Sequence, residues 1–387
     1  MKKSLLALAA LGVFAGAAHA QSSVTLYGII DAGFAYSNNV NGQKLYSMSS
    51  GNVQGSRWGL RGTEDLGGGL KALFVLENGF NVFNGRLAQG GSEFGRQAYV
   101  GLSTAQFGTV TLGRQYDSVV DFTGAFEVGS QWATYYGAHP GDLDNMNNSN
   151  RVNNAIKFTS ANYAGFTFGG LYSLGGNAGQ FNRNQIWSVG LGYSQGPLQL
   201  GAGYLNVKDP NYSFFGNTPA SSTTGSNMGG SRVYSGYASA HTQQVISAGA
   251  AYTFGAATVG ATYSNTQFKD VGREAGTGLN PAGYTGGTGK FHNAEINFKY
   301  QLTPALLVGA AYDYTKGYGL GNAKYHQGML GADYFLSKRT DVYIDGVYQH
   351  ASGTDSTRGA AVANINGLSP SSTSNQVAAL VGIRHKF

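Results

Sequence analysis

The sequence has no cysteine, so the disulfide staples common in secreted soluble domains are missing and stability must come from elsewhere. Beyond residue 20 no run of eighteen apolar residues occurs, which excludes a transmembrane helix. Proline (7 residues) and charged side chains (11%) are both scarce. Glycine reaches 61 residues but lacks the strict three-residue period of collagen, and an aromatic content of 13% is too high for a disordered chain. Signatures of catalysis are missing too. No G-x-S-x-G elbow occurs, and Gly67-Gly68-Gly69 is followed by a strand pattern, so it reads as a tight turn rather than a dinucleotide loop. The histidines (His139, His241, His292, His326, His350 and His385) are scattered, with no pair at metal-ligand spacing. Asp313 and Asp333 could approach one another, but no serine–histidine pairing can be placed beside them. The expectation is a protein that is not an enzyme and carries no metal or cofactor.

What is present begins with a leader. Met1-Lys2-Lys3, an apolar run from Leu5 to Ala18 and the close Ala18-His19-Ala20 are the three parts of a secretory signal peptide over residues 1–20. Residues 21–387 then form the expected mature chain, read as one domain because no linker or shift of composition divides it. Without Lys2 and Lys3, 23 basic residues remain against 19 acidic ones, a net +4 that is too dilute to suggest nucleic-acid binding.

The dominant pattern is alternation at period two. Trp187, Val189, Leu191 and Tyr193 alternate with serine and glycine. Ala294, Ile296, Phe298 and Tyr300 alternate with Asn293, Glu295, Asn297 and Lys299. Such strands have two different faces, one apolar and one wet. Sixteen strands are expected, starting near Val24, Ser56, Leu70, Arg96, Thr109, Arg151, Phe166, Trp187, Leu198, Val245, Ala257, Asn293, Ala305, Tyr325, Asp341 and Val377. Short connections (64–69, 161–165, 195–197, 255–256, 302–304, 337–339) alternate with long ones (37–55, 116–150, 207–242, 266–291, 350–376). That asymmetry suits a membrane-spanning barrel rather than a compact soluble domain. The barrel must close because lipid offers no partner for a free sheet edge, and sixteen strands leave an aqueous lumen. Tyr204, Tyr252, Tyr263, Tyr300 and Tyr314 end the apolar stripes as an interfacial girdle would.

Several segments together resemble the Gram-negative general porins, in particular the trimeric betaproteobacterial type. They are SSVTLYGIIDAGF (22–34), GSRWGLRGTEDLGGGLKALFVLENGF (55–80), FGRQAYVGLS (94–103), FGTVTLGRQYD (107–117) and the terminal VGIRHKF (381–387). The resemblance implies an all-β fold, a 16-stranded antiparallel transmembrane barrel of the outer membrane with both termini on the periplasmic side. It implies a third loop, 116–150, folded into the lumen, and a homotrimer surrounded by outer-membrane lipid and lipopolysaccharide. Phe387, which ends the apolar row Val377, Ala379, Val381, Ile383 and His385, would be the signal read by the barrel-assembly machinery.

A pore filters by width and by the charges at its narrowest point. Arg57 and Arg61 share a face opposite Trp58 and Leu60, and Arg151 shares one with Lys157. The parity of Arg96 is ambiguous, since it falls on the side of Ala98, Val100 and Leu102. The resemblance places positions matching Arg57, Arg96 and Arg151 in a basic patch at the constriction, with Arg61 and Lys157 as neighbours. The third loop carries Asp117, Asp121 and Glu127, with Asp142 and Asp144 further on, which could face the arginines across the channel. The expected function is passive, weakly to moderately anion-selective diffusion of ions and small hydrophilic solutes. A substrate-specific channel and a plugged structural barrel are the competing readings.

Overall fold

Alternation at period two produces one closed antiparallel sheet of seventeen strands among the described residues. The computed structural model describes residues 23–387, so the expected leader lies outside the described residues. The strands are β1 (Ser23–Val40), β2 (Gln43–Ser50), β3 (Arg57–Gly67), β4 (Leu70–Gly79), β5 (Gln97–Thr104) and β6 (Gly108–Gln115). After a long loop come β7 (Val152–Ser160), β8 (Phe166–Ser173), β9 (Ile186–Gln195), β10 (Leu198–Lys208), β11 (Thr242–Phe254) and β12 (Ala257–Lys269). The circuit is completed by β13 (Gly289–Thr303), β14 (Leu306–Gly319), β15 (Lys324–Phe335), β16 (Thr340–Ser352) and β17 (Asn375–Lys386).

The barrel has sixteen staves, because β2 and β3 share one position. Residues 23–29 of β1 pair with β3, and residues 32–40 pair with β2. On its other side β1 pairs with β17, from Ile29 opposite Lys386 to Ser37 opposite Ala378. The backbones of Gly28 and Phe387 exchange two hydrogen bonds at the closure. The segment 37–55, expected to be a loop, is therefore corrected to a hairpin. Asn41 and Gly42 turn it with φ of +51° and +88°, the geometry that an Asn-Gly pair supplies in a two-residue turn. Gly67, Gly68 and Gly69 all have positive φ, which fits the tight turn read from the sequence.

The two faces separate as the alternation requires. Val189, Leu191, Ile246, Ile296, Leu330 and Ile344 are each about half exposed or more, and all point away from the lumen. In water such a belt would drive aggregation, whereas in a bilayer it is the lipid face. The inner face carries buried polar side chains such as Ser188, Thr262, Asn293, Glu295 and Gln327.

Residues between β6 and β7 pack against that inner face. A one-turn helix, α1 (Ser118–Phe122), seats Phe122 against the inward glycines Gly190 and Gly192, and Phe126 lies on Gly249. Trp132, 5% exposed, covers Gly309 and Gly331. A Cβ at any of these glycines would come within 3.3 Å of the aromatic ring, so the inner wall is bare where the loop needs room. His139 fastens the far end. It is fully buried, with Nδ1 2.7 Å from Asp144 and its backbone N–H donating to Glu127.

Candidate pore constriction

Three arginines meet at one level of the lumen, and each arrives by a different local device. Arg57 opens β3 with its side chain inward, and its Nε donates to the carbonyl of Gly55 at 3.0 Å. Arg96 precedes β5 by one residue. It is outside the pleat, so the alternation that would send it towards lipid does not apply. Its Nε donates to Oε1 of Glu77 at 2.8 Å and its Nη2 to the hydroxyl of Tyr116 at 3.1 Å. Arg151 ends the loop just before β7, donates to the carbonyl of Ser149, and lies over the ring of Tyr116 at 5.7 Å.

Glu77 holds this group together. Its carboxylate is 4.0 Å from Arg57 and also accepts from the Tyr27 hydroxyl at 3.0 Å. Burial opposes the charge of Arg96, but Tyr116 and Glu77 outweigh it and hold the guanidinium above its usual value. Arg151 shares Tyr116 but, among the described residues, has no carboxylate partner. Burial, with Arg96 adding repulsion, pushes it down to about 10, still cationic at neutral pH. Together Arg57, Arg96 and Arg151 line a cavity of about 270 Å³ whose other walls are residues 51–55 and the loop residues Val120, Gly124, Ser130 and Asn147. Among the described residues no carboxylate lines that cavity.

The other residues singled out in the sequence lie elsewhere. Arg61, four residues further along β3 towards the turn end, sits over the ring of Tyr27 at 5.2 Å and is outside the cavity lining. Lys157 points inward but is engaged by Asp121 and donates to the carbonyl of Tyr116 at 3.1 Å. Asp117 is fully buried. It caps α1 by accepting from the N–H groups of Val119 and Val120, and Asn145 donates to its second oxygen at 2.7 Å. Burial pushes its carboxyl up to about 6. Glu127 is fully buried against His139. Asp117 and Glu127 therefore hold the loop's own shape and do not face the arginines across water. Glu77 and Tyr116 were missed as site residues. Register could have found Glu77, since it lies opposite Gly59, two residues from Arg57 on the inward row. Tyr116 lies outside any strand and gave no signal.

With this geometry in hand, comparison with known proteins decides the family. A family model described as Gram-negative porin matches residues 7–354. This chain belongs to the Gram-negative porin family. An outer membrane porin protein of Bordetella pertussis is 33% identical over 386 residues, covering 90% of this chain and 94% of the relative. Outer membrane porin protein 32 of Delftia acidovorans is 33% identical over 408 residues, with both chains fully covered. Among solved structures, the anion-selective porin from Comamonas acidovorans superposes with a TM-score of 0.73 at 25% identity, over 95% of this chain and all of its own. The porin is thus an outer-membrane channel of a Gram-negative bacterium, and its relatives are channels rather than enzymes. The resemblance carried by the segments 22–34, 55–80, 94–103, 107–117 and 381–387 holds for the family and for the barrel.

Proposed function

We propose that this porin is a general diffusion pore that prefers small hydrophilic anions, with no catalytic step and no bound cofactor. The observation that carries the reading is the cavity lined by Arg57, Arg96 and Arg151 and by no carboxylate. Three cations at a constriction attract anions and repel cations over roughly a Debye length, about 8 Å at physiological salt. The Comamonas acidovorans porin, named for anion selectivity, supports the same direction. Arg61 adds positive charge nearer the turn end, and Lys157 contributes little because Asp121 neutralises it. In this reading Asp121 is the one loop acid that tempers the field, while Asp117 and Glu127 act only through the loop's position.

The working assembly in this proposal is a homotrimer in outer-membrane lipid and lipopolysaccharide. In-vitro folded OmpT of Vibrio cholerae, which has a similar fold, has a solved structure described as a trimer form. Phe387, exposed at the closure of the barrel, is the residue proposed for reading by the assembly machinery.

The test is the reversal potential of the refolded protein across a planar bilayer in a salt gradient. An anion-selective potential that falls when Arg57, Arg96 and Arg151 are changed to glutamine supports the proposal. A cation-selective potential in the unaltered protein would sink it. The convergence of three guanidinium groups also favours one second reading, a channel with a site for small dianions. Conductance that saturates with phosphate or a dicarboxylate, but not with chloride, would establish that reading instead.

A further inference from the structure

On β1, β15, β16 and β17 the inward acids outnumber their partners. Asp31, Asp333, Asp341 and Asp345 are all more than nine-tenths buried, and the cations on the same inward rows are Arg384 and Lys386, which leaves an excess of two negative charges. Arg384 stands opposite Asp31 on one side and Asp341 on the other. Its guanidinium takes Asp341 through Nε at 3.1 Å and Nη2 at 2.6 Å, and Nη2 reaches Oδ2 of Asp333 at 3.4 Å. Asp31 is satisfied by other donors, the Tyr343 hydroxyl at 2.6 Å and the N–H groups of Val53 and Gln54 at 2.8 and 2.9 Å. Lys386 forms no ion pair among the described residues.

Asp345 is left over. It is 3% exposed, yet among the described residues neither of its oxygens accepts a hydrogen bond, and Oδ1 of Asp333 is equally without a partner. Register makes the two acids neighbours. Asp345 faces Gly331 and Asp333 faces Tyr343, so they are diagonal across the β15–β16 ladder, about 7–8 Å apart at Cα and less between side chains. Gly331 gives Asp345 its room. A Cβ at Gly331 would strike both Oδ1 of Asp345 and the ring of Trp132, so the carboxylate lies beside the indole that covers this glycine. A carboxylate shut away from water without a partner is costly, and a second one beside it adds repulsion.

We propose that Asp345 and Asp333 hold one divalent, calcium-type cation in the barrel wall beside Trp132. Charge complementarity selects the valence, since two positive charges cancel the excess on these four strands. The donors select the element. They are all oxygen, and no histidine stands on these inward rows, which suits a hard cation over a transition metal. Both oxygens of Asp345 are free, which fits the bidentate carboxylate that calcium accepts at about 2.3–2.6 Å, with Oδ1 of Asp333 as a third ligand and water as the rest. The site adjoins the constriction. Gln54 accepts from Nη1 of Arg384 at 3.2 Å and also lines the cavity of the three arginines. The bound ion thus screens the acids that stand nearest to that cavity.

The experiment measures binding of calcium, by equilibrium dialysis, and of terbium, by emission excited through tryptophan, to the refolded barrel at neutral pH. Trp132 lies beside the proposed ion, whereas Trp58 and Trp187 are on outward rows. Emission should appear with terbium and be displaced by calcium. Asp345→Asn with Asp333→Asn should weaken both ions by more than about tenfold. Asp345→Asn alone leaves Arg384 both of its carboxylates and should weaken them too, which keeps the test open if the double variant does not fold. Trp132→Phe should retain calcium but lose the sensitised emission. No calcium binding by the unaltered barrel, as protonated or water-bridged acids would give, would overturn the site. So would an unchanged affinity in a folded asparagine variant, or emission that survives in Trp132→Phe. Binding is read without conductance, so a cation-selective reversal potential would refute the pore reading and leave this site standing.

Discussion

Changing Glu77 to glutamine tests the electrostatics of the constriction in the direction opposite to removing an arginine. Among the described residues Glu77 is the carboxylate within 4.0 Å of both Arg57 and Arg96. Counting Arg151, the group carries three positive charges and one negative; the substitution raises its net charge by one. At about 7 Å from a passing ion, one unit charge in water-like dielectric is worth about 0.6 kcal/mol, and screening at 0.1 M salt halves this to about 0.3 kcal/mol. Anions gain that amount and cations lose it, so the permeability ratio should move by about 0.6 kcal/mol, or roughly threefold towards anions.

The assay is the reversal potential in a salt gradient centred on 0.1 M, repeated near 1 M, where a Debye length of about 3 Å should abolish the difference. Glutamine keeps an acceptor for the Arg96 guanidinium and the Tyr27 hydroxyl. Loss of the buried charge still leaves two arginines less well compensated, so thermal stability should fall by a few kcal/mol at most. Heat-modifiable migration on a gel checks that the barrel is intact. A ratio that stays constant at 0.1 M, or moves towards cations, in a folded variant would refute the assignment of these arginines to the ion path.

Trp132→Ala removes the ring that covers Gly309 and Gly331, a truncation worth about 3–5 kcal/mol when fully buried; single-channel conductance and open-channel noise should both rise. Gly201→Ala disturbs the loop's seat from the wall at another point, because its Cβ would collide with the backbone oxygen of Phe122; the loop must shift, and conductance should again change while barrel content by circular dichroism does not. The loop should also be held more firmly at pH 5 than at pH 9. Burial pushes Asp117 up to about 6 and Asp142 up to about 7, so stability is lost as pH rises from the usual carboxylate range through those values, and His139, raised by Asp144 and Glu127 despite its burial, loses its stabilising charge as pH rises through its elevated value. Asp144, held low by His139 although burial opposes this, fails only below its usual carboxylate range, so hydrogen exchange in residues 118–146, corrected for intrinsic rate, should show less protection at pH 9, and equal protection would contradict the assignment. Deleting Phe387 removes both backbone bonds to Gly28 and should reduce assembled protein in outer-membrane fractions.

The strands were legible wherever an apolar row faces lipid along the whole stave. The starts of β4, β8, β10 and β12 coincide with those read from alternation. They were misplaced where the stripe changes chemistry. β13 begins at Gly289 rather than Asn293, and β11 at Thr242 rather than Val245, because both run past their apolar rows into polar and basic residues at the loop end. Alternation in hydrophobicity cannot be followed once the outward row holds Lys290 and His292. β2 was lost for a related reason. Its outward Tyr46 and Met48 are separated by serines in a segment too short to stand out, although the Asn41-Gly42 turn announced it. At the site, alternation put Arg57 and Arg151 on a wet face, whereas Arg96 was placed only by the resemblance because it lies just outside the pleat of β5. The acids could not be sorted, because α-helix capping by Asp117, pairing by Asp121 and burial of Glu127 depend on where the loop lies inside the barrel.

Glycine carries the information that alternation alone leaves out. On an open wet wall, serine, asparagine or a charged residue would serve as well as glycine between the lipid-facing side chains. At Gly190, Gly201, Gly249, Gly309 and Gly331 they would not, since a side chain there would strike Phe122, Phe126 or Trp132. These inward glycines lie on β9, β10, β11, β14 and β15, whereas the inward rows of β3 and β4 hold Arg57, Arg61 and Glu77 beside Gly59 and Gly79, neither of which meets a loop aromatic. The wall is therefore divided into a bare arc that seats the loop and a charged arc that it leaves uncovered. In the proposed reading, water and ions take the passage between loop and charged arc, where Arg57, Arg96 and Arg151 line a cavity. Inward glycines at which a side chain would strike a loop aromatic, gathered on β9–β11 and β14–β15, are thus a sequence sign of something packed inside a barrel, and the arc whose inward row holds cations marks the opposite side.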